Sequence, residues 1–289
     1  MQIIIIISFF LFLFLTCCSG QENDIQVNTR IIGGRRAREN EYPNYVLIRM
    51  KSDGGVCGGT LIDVHIVLTA AHCLVENKAK EMFRDHKDLE IFIGSNDLNS
   101  KNMYRTEAVQ VILHPNYHPS KNKENDIALI RLKSAFNVNQ LKAMIPPTNK
   151  SSIFVGKKVW TVGFGTTDPD KQALSDHLQT VNLDILPDNV CEQLFTSNKD
   201  KFNPNLMICA GDLNGGKDTC NGDAGSPLIL KSGEEDGETA SQIILGITSY
   251  GKRGSKCGSK DSAAVYTKVA SYKKWIHDVL EGYIAHAIK

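Results

Sequence analysis

The stretch "DTCNGDAGSP", which runs from Asp218 to Pro227, places two aspartates, two glycines and a cysteine directly before the apolar run "LIL". Three other segments precede it in the chain: "RIIGG" at Arg30–Gly34, "LTAAHC" at Leu68–Cys73 and "NDIALIRL" at Asn125–Leu132. Each segment alone is moderate evidence, because short motifs also recur by chance. Together, in this order and at this spacing, they are specific enough to decide the fold.

Around these segments the sequence consists mainly of short apolar runs separated by turn residues, such as "YVLIRM", "DIALIRL" and "IILGITSY". Many short runs at this spacing predict the strands of a β-sandwich or β-barrel. The C-terminal stretch differs, because apolar residues recur at helical spacing from Trp275 to Ile284. It predicts a helix that packs one face on the body of the protein. Three segments are expected to be exposed loops: Glu76–Asp88, Thr166–Ser175 and Lys231–Gln242.

The composition is that of an ordinary globular protein, with 42% apolar and 22% charged residues. A chain of 289 residues holds one large β domain or two ordinary ones. The formal net charge of +1 gives no reason to expect nucleic acid or an acidic membrane as a partner. Because the sequence has no internal repeat and no Pro-rich or Ser-rich linker, we expect no second module, and we expect a monomer.

The N-terminal run from Ile3 to Leu15 is apolar except for Ser8 and is followed by the short segment "TCCSG". This pattern predicts a signal peptide, residues 1–20, with cleavage near Gly20. A membrane anchor is the alternative, but the run is shorter than the ~20 residues that a spanning helix needs. We therefore expect a secreted, extracellular protein.

Six of the eight cysteines lie beyond the predicted signal peptide. An even number of cysteines in an oxidising compartment predicts disulfides, although the number alone does not give their connectivity. A metal site is the alternative, and it is disfavoured because no closely spaced cysteine pair lies near a pair of histidines. We expect no metal and no cofactor.

From Ile31 to the C-terminal helix, the four segments resemble those of the chymotrypsin/trypsin family of secreted serine proteases. The resemblance implies an all-β fold of two packed six-stranded antiparallel β-barrels, followed by a C-terminal α-helix. It places the active site in the cleft between the barrels. Residues 31–289 would form one trypsin-like serine protease domain.

By the same resemblance, His72 is the general base and Asp126 is the carboxylate that orients it. The backbone N–H groups of Gly222 and of residue 224 would form the oxyanion hole. The chain departs from the family at the nucleophile position, which holds Ala224 instead of serine. Because the histidine needs a hydroxyl to activate, we expect the protein to be inactive. Ser226 is interpreted as a small loop residue and not as a substitute nucleophile.

The Arg30-Ile31 pair resembles the activation site of the family. Cleavage there by another trypsin-like protease would remove a propeptide, residues 21–30, and would free the Ile31 ammonium group. In the family the new N-terminus pairs with the aspartate that precedes the nucleophile position, here Asp223. A buried carboxylate needs such a partner.

Asp218 corresponds to the base of the specificity pocket in trypsin-like members, where a carboxylate selects Lys or Arg. Gly251 is retained at the pocket mouth, and Tyr250 replaces the usual tryptophan beside it. Ala264 stands where these members usually have glycine, and we expect its methyl group to hinder a long side chain. The family also implies the disulfides Cys57–Cys73, Cys191–Cys209 and Cys220–Cys257. Asn149 begins a glycosylation sequon.

Two functions fit this sequence. The first is a non-catalytic homologue that binds a protein or peptide ligand in its cleft and acts by binding or regulation. The second is an active endopeptidase that cleaves after Lys or Arg, in which Ala224 is a recent or deliberate replacement. We favour the first, because an isolated replacement of the nucleophile would not also have altered the pocket wall at Ala264.

Overall fold

In the computed structural model, residues 31–287 are described except 102, 122, 137–142, 146–150, 167, 169, 171–172, 197–199 and 233–240. The predicted signal peptide, the propeptide with Arg30, and Asn149 lie outside the described residues. The predictions that concern them remain predictions.

Among the described residues, the N-terminal half of the chain contributes nine strands. In chain order they are β1 (Arg35–Arg36), β2 (Tyr45–Met50), β3 (Val56–Asp63), β4 (Ile66–Thr69), β5 (Val75–Asn77), β6 (Met82–Phe83), β7 (Leu89–Ile93), β8 (Tyr104–Leu113) and β9 (Ala128–Leu132). Six of them close a barrel in the order β2-β3-β4-β9-β8-β7. Apolar side chains that alternate along these strands fill its interior, among them Val46, Ile48, Leu68, Ile91 and Leu129, all buried.

The described part of the C-terminal half contributes seven more strands: β10 (Ala143–Met144), β11 (Lys158–Gly163), β12 (Gln179–Ile185), β13 (Met207–Gly211), β14 (Pro227–Ser232), β15 (Ser241–Gly251) and β16 (Ala264–Lys268). Neighbours pair in the order β12-β11-β14-β15-β16-β13, and a further pairing of β12 with β13 closes this second barrel. Its core includes Val159, Leu183, Ile208, Leu228 and Tyr266. The predicted fold of two six-stranded antiparallel β-barrels is therefore confirmed.

Within the ranges that the structure describes, two α-helices accompany the barrels, α1 (Asp188–Leu194) and α2 (Lys273–Ala287). The second is the predicted C-terminal helix. Ile276 is fully buried in the core of the first barrel, and the Trp275 ring lies 5.1 Å from the His114 ring. The helix thus belongs to the second half in sequence but packs on the first barrel. Within the described part of the chain, no helix has the length and apolarity required to cross a membrane.

The segment Glu76–Asp88 is more ordered than the sequence suggests. Strands β5 and β6 form a short hairpin there, directly after the 3₁₀ turn Ala71–Leu74. Arg84 fixes the base of the hairpin, because its guanidinium lies 3.0 Å from a carboxylate oxygen of Asp88 and also contacts Asp53. The charged residues that indicated a solvated loop in the sequence are thus the groups that hold the hairpin in place.

Candidate active site

His72 and Asp126 come from two different loops of the first barrel, and the fold brings them together. His72 lies in the 3₁₀ turn after β4, and Asp126 lies in the turn before β9. The His72 Nδ1 atom is 2.7 Å from Asp126 Oδ2, and the backbone N–H of His72 donates to Asp126 Oδ1 at 2.8 Å. Because β4 and β9 are paired strands, the barrel itself sets this geometry.

The Asp126 carboxylate is fully buried, at 0% exposure. Burial works to raise its pKa, but the charge and hydrogen bonds of His72, together with the hydroxyl of Ser249, hold that pKa below its ordinary value. Asp126 is therefore an anion that accepts from the imidazole. This arrangement holds the ring with Nδ1 protonated and leaves Nε2 free to accept a proton, which is the state that a general base requires.

The loop that carries Ala224 is attached to both barrels. The N–H of Gly58, in the first barrel, donates to the carbonyl of Ala224 at 2.7 Å. The N–H of Gly225 donates to the carbonyl of Thr248, in the second barrel, at 2.9 Å. Gly58 follows Cys57, and Cys57 is bonded to Cys73, the neighbour of His72. These links place residue 224 and His72 at the same junction of the barrels.

The backbone N–H groups of Gly222 and Ala224 have no acceptor among the described residues. Gly222 has a φ of 96°, a left-handed conformation that favours glycine. Backbone N–H groups are almost always paired in folded proteins unless they face water or a ligand. Unpaired backbone N–H groups are what an oxyanion hole requires, and a methyl side chain at residue 224 removes neither of these two.

Ser226 does not replace the missing serine. Its side chain is fully buried and faces β3, because a Cβ atom on Gly58 would lie only 2.1 Å from the Ser226 hydroxyl oxygen. It therefore points into the interior and not toward His72. This agrees with its interpretation as a small loop residue.

Asp223 is also fully buried, and two backbone N–H groups donate to it, from Gly165 at 3.0 Å and from Cys220 at 2.9 Å. Among the described residues no cationic side chain pairs with it. Burial, the largest cause, raises the pKa of Asp223 to about 7 despite these bonds. The site can therefore accept a cation, and the Ile31 ammonium group is the cation that the family resemblance assigns to it.

Asp218 lies at the base of the expected specificity pocket and is only 4% exposed. Its Oδ2 atom accepts from the N–H of Gly258 at 3.1 Å and from the hydroxyl of Ser262 at 2.9 Å. The other oxygen, Oδ1, is buried and has no hydrogen-bond partner within the described residues. Burial raises the pKa of this carboxyl, and the two bonds only partly oppose the effect. An unpartnered carboxylate oxygen in such a place is a position for a donor from a ligand.

By the family resemblance, the walls of this pocket would be the facing ends of β15 and β16, where Gly251 and Ala264 are paired. Ala264 is 1% exposed and packs with the core of the second barrel. The ring of Tyr250, the neighbour of Gly251, packs edge-to-face with the ring of Phe195, and the two ring centroids are 5.7 Å apart.

All six cysteines beyond the predicted signal peptide form disulfides in the structure. The pairs are Cys57–Cys73, Cys191–Cys209 and Cys220–Cys257, as the resemblance implies. The first of them adjoins His72, and the third links the Ala224 loop to the segment that contains Gly258.

Sequence reasoning missed Ser249, whose hydroxyl donates to Asp126 from the second barrel. No local signal identifies this serine, because the two residues are 123 positions apart and meet only when both barrels are packed.

Comparison with known proteins agrees with this geometry. The trypsin family model matches residues 31–276. Kallikrein 1-related peptidase b3 of Mus musculus is 32% identical over 285 residues, covering 94% of this chain and 98% of the relative. Renal glandular kallikrein of Mastomys natalensis is 32% identical over 276 residues with the same coverage. The chain therefore belongs to the trypsin family of serine proteases.

Proposed function

We propose that this protein is a non-catalytic member of its family, which binds a polypeptide in its cleft without cleaving it. The observation that carries the proposal is Ala224 at the nucleophile position, beside an intact His72–Asp126 pair. Without the hydroxyl no acyl-enzyme forms. Loss of the nucleophile lowers turnover roughly a million-fold in the serine proteases where it has been measured.

The groups that bind a substrate, as distinct from the group that attacks it, support a binding role. The N–H groups of Gly222 and Ala224 remain available to a carbonyl oxygen. The unpartnered Oδ1 of Asp218 remains available to a basic side chain. These groups hold a ligand but do not break it.

We further propose that the protein is secreted and is processed after Arg30 by another trypsin-like protease. The disulfides support an oxidising compartment. The unpaired, buried Asp223 supports the processing, because a free Ile31 ammonium group would neutralise it.

The experiment is to cleave the protein after Arg30 and offer it lysyl and arginyl chromogenic substrates and a fluorophosphonate probe. We expect no turnover and no covalent labelling at residue 224. Turnover at a rate typical of the family, or labelling of native material, would overturn the proposal. Ser226→Ala is the control, because trace activity that survives this change does not come from that hydroxyl.

The second candidate is an active endopeptidase in which Ala224 is a recent replacement, and the preserved His72–Asp126 geometry favours it. Ala224→Ser separates the two candidates. If the replacement is recent, the variant will cleave lysyl and arginyl substrates at rates typical of the family. If the pocket has also changed, as the first candidate implies, the Ala224→Ser variant will react with the fluorophosphonate probe but will cleave these substrates poorly. A serine codon at position 224 in the gene would establish the second candidate directly.

A further inference from the structure

The sequence contains two Asn-Gly pairs, Asn214-Gly215 and Asn221-Gly222. In such a pair the backbone nitrogen of the glycine comes within reach of the side-chain amide carbon of the asparagine. Because glycine has no Cβ atom, no side chain hinders that approach. An Asn-Gly pair is therefore a place where asparagine loses ammonia by closing a ring onto the next residue.

Both asparagines are exposed, but the two glycine nitrogens differ. The N–H of Gly215 donates to the carbonyl of Asp212 at 2.9 Å. The N–H of Gly222 has no acceptor among the described residues. The nitrogen that would attack the asparagine is thus held by a hydrogen bond in the first pair and is free in the second.

The fold imposes the glycine of the second pair. Gly222 has a φ of 96° in a turn that is closed by a hydrogen bond from the Asp223 N–H to the Cys220 carbonyl at 3.0 Å. A Cβ atom on Gly222 would also lie only 2.9 Å from Leu174 Cδ2. The side chain of Asn221, in contrast, is exposed and forms no hydrogen bond with the described residues. The reactive pair therefore combines a glycine that the turn requires with an asparagine that is replaceable.

We propose that Asn221 is a site of spontaneous succinimide formation, which removes one of the two donors supplied by Gly222 and Ala224. The Gly222 nitrogen attacks Cγ of Asn221, and a C–N bond forms. The proton of the Gly222 N–H passes by way of water to the side-chain nitrogen, which leaves as ammonia. Water then opens the ring at either carbonyl and gives aspartate or isoaspartate at residue 221. The reaction is neither an oxidation nor a reduction, and its only co-reactant is water.

The modification should disable the part of the cleft that holds a carbonyl oxygen. While the ring is closed, the Gly222 nitrogen carries no hydrogen and has nothing to donate. Isoaspartate restores the N–H, but its main chain runs through the former side chain, which lengthens the turn between Cys220 and Asp223. It also places a new carboxylate beside the Gly222 N–H. This loss of binding rests on the proposed binding function, whereas the modification itself does not.

A bound polypeptide should protect Asn221. A ligand carbonyl that accepts from the Gly222 N–H would engage that nitrogen as the Asp212 carbonyl engages the nitrogen of Gly215. The reaction would therefore proceed in empty molecules and be slowed in occupied ones. The chain thus carries an unmodified reference, Asn214, and a ligand-sensitive site, Asn221, on the same molecule.

The first measurement is peptide mapping by mass spectrometry after the protein, cleaved after Arg30, is incubated in mildly alkaline buffer. We expect aspartate and isoaspartate to accumulate at residue 221 roughly tenfold faster than at residue 214, a factor that one hydrogen bond of ordinary net strength supplies. In denatured and reduced protein the two rates should become similar, because neither glycine nitrogen is held there. Equal rates in the folded protein, or no reaction at residue 221, would overturn the inference.

The second measurement is the fluorescence anisotropy of a labelled peptide with one central Lys, recorded before and after the incubation. We expect the binding capacity to fall in proportion to the modified fraction at residue 221. A saturating concentration of the peptide during incubation should slow the reaction at residue 221 but not at residue 214. Asn221→Gln should keep its capacity, because glutamine must close a larger ring, which forms more slowly. Asn214→Gln is the matched control and should lose capacity like the wild type.

The outcomes separate this inference from the proposed function. If fresh protein does not bind the peptide, the proposed function fails, and the ratio of the two reaction rates still decides whether the free Gly222 N–H directs the modification. If residue 221 is modified and the binding capacity does not change, the modification does not disable the cleft and that part of the inference is wrong. Loss of capacity in Asn221→Gln at the wild-type rate would assign the loss to another change and overturn it as well.

Discussion

The methyl group of Ala264 is the smallest difference from the trypsin-like pattern that we expect to affect ligand entry. Ala264 is buried opposite Gly251, at the strand ends that the family resemblance assigns to the pocket of Asp218, and the Asp218 Oδ1 atom is the position for a basic group. We expect Ala264→Gly to strengthen benzamidine binding by roughly tenfold, because overpacking of a tight site costs about 1–3 kcal/mol. Isothermal titration calorimetry on the cleaved protein measures this change.

Ala263→Gly is the control for that substitution, because Ala263 is equally buried but packs into a different cluster, around Cys191 and Phe195. It should lower stability without improving benzamidine binding. Equal weak affinity in the wild type and in Ala264→Gly would mean that the methyl group is not the obstacle.

At the scale of elements, Glu41 joins the N-terminal segment to strand β14. It forms ion pairs with Arg35 at 2.6 Å and with Lys231 at 2.8 Å, and the Lys231 side chain is only 7% exposed. Lys231 also lies 5.0 Å from the centre of the Trp160 ring. Although burial opposes ionisation, the hydrogen bonds from Arg35 and Lys231 lower the pKa of Glu41 to about 2.

We expect Glu41→Gln to reduce the free energy of unfolding by roughly 3 kcal/mol at pH 7, because it removes a carboxylate that pairs with both Arg35 and the largely buried Lys231. Since the pKa of Glu41 is lowered, its contribution is present above the unfolded value near 4.5 and is lost as the pH falls toward 2. The difference between variant and wild type should therefore shrink in acid. Urea unfolding at several pH values measures it.

The exposed neighbour Glu39 supplies the control, and Glu39→Gln should change stability by less than about 0.5 kcal/mol. The double variant Glu41→Gln with Lys231→Met should lose less free energy of unfolding than the sum of the losses in the two single variants. Full additivity would show that the two side chains do not interact.

At the scale of the whole molecule, we expect Asp223 to make the stability of the uncleaved protein depend on pH differently from that of the cleaved protein. In the uncleaved chain its pKa is raised to about 7, from an ordinary value of 3.8. The folded state therefore binds a proton on Asp223 more tightly than the unfolded state does. The contribution of Asp223 to the free energy of unfolding is lost as the pH rises from about 4 to 7. We expect the melting temperature of the uncleaved protein to fall over that range.

Asp223→Asn should flatten this dependence in the uncleaved protein, and so should cleavage after Arg30, because the Ile31 ammonium group would then pair with the carboxylate. Thermal unfolding at pH 5 and pH 8 compares the forms. Asp261→Asn is the control, because Asp261 is exposed and already has a φ of 56°, which Asn tolerates. A steep dependence that persists in Asp223→Asn would assign the effect to another group.

Most of the fold follows from the sequence, because most strands of the two barrels appear as short apolar runs and the reactive residues lie in specific segments. "YVLIRM" coincides with β2, and the helical spacing after Trp275 coincides with α2. The pairing of β12 with β13, which closes the second barrel, has no local signal because it joins distant parts of the chain. Ser249 lacks a local signal for the same reason, since its contact with Asp126 joins a strand of the second barrel to a turn of the first and forms only when both barrels are packed.

If the proposed function holds, a cleft that binds a polypeptide through two N–H groups and a buried carboxylate, but has only a methyl group at residue 224, would release that polypeptide unchanged. Its occupancy would then be set by the concentration of the polypeptide and the affinity of the cleft, with no consumption of the bound chain. Such a molecule would work as a reversible reservoir, and its influence on its surroundings would scale with its abundance rather than with time.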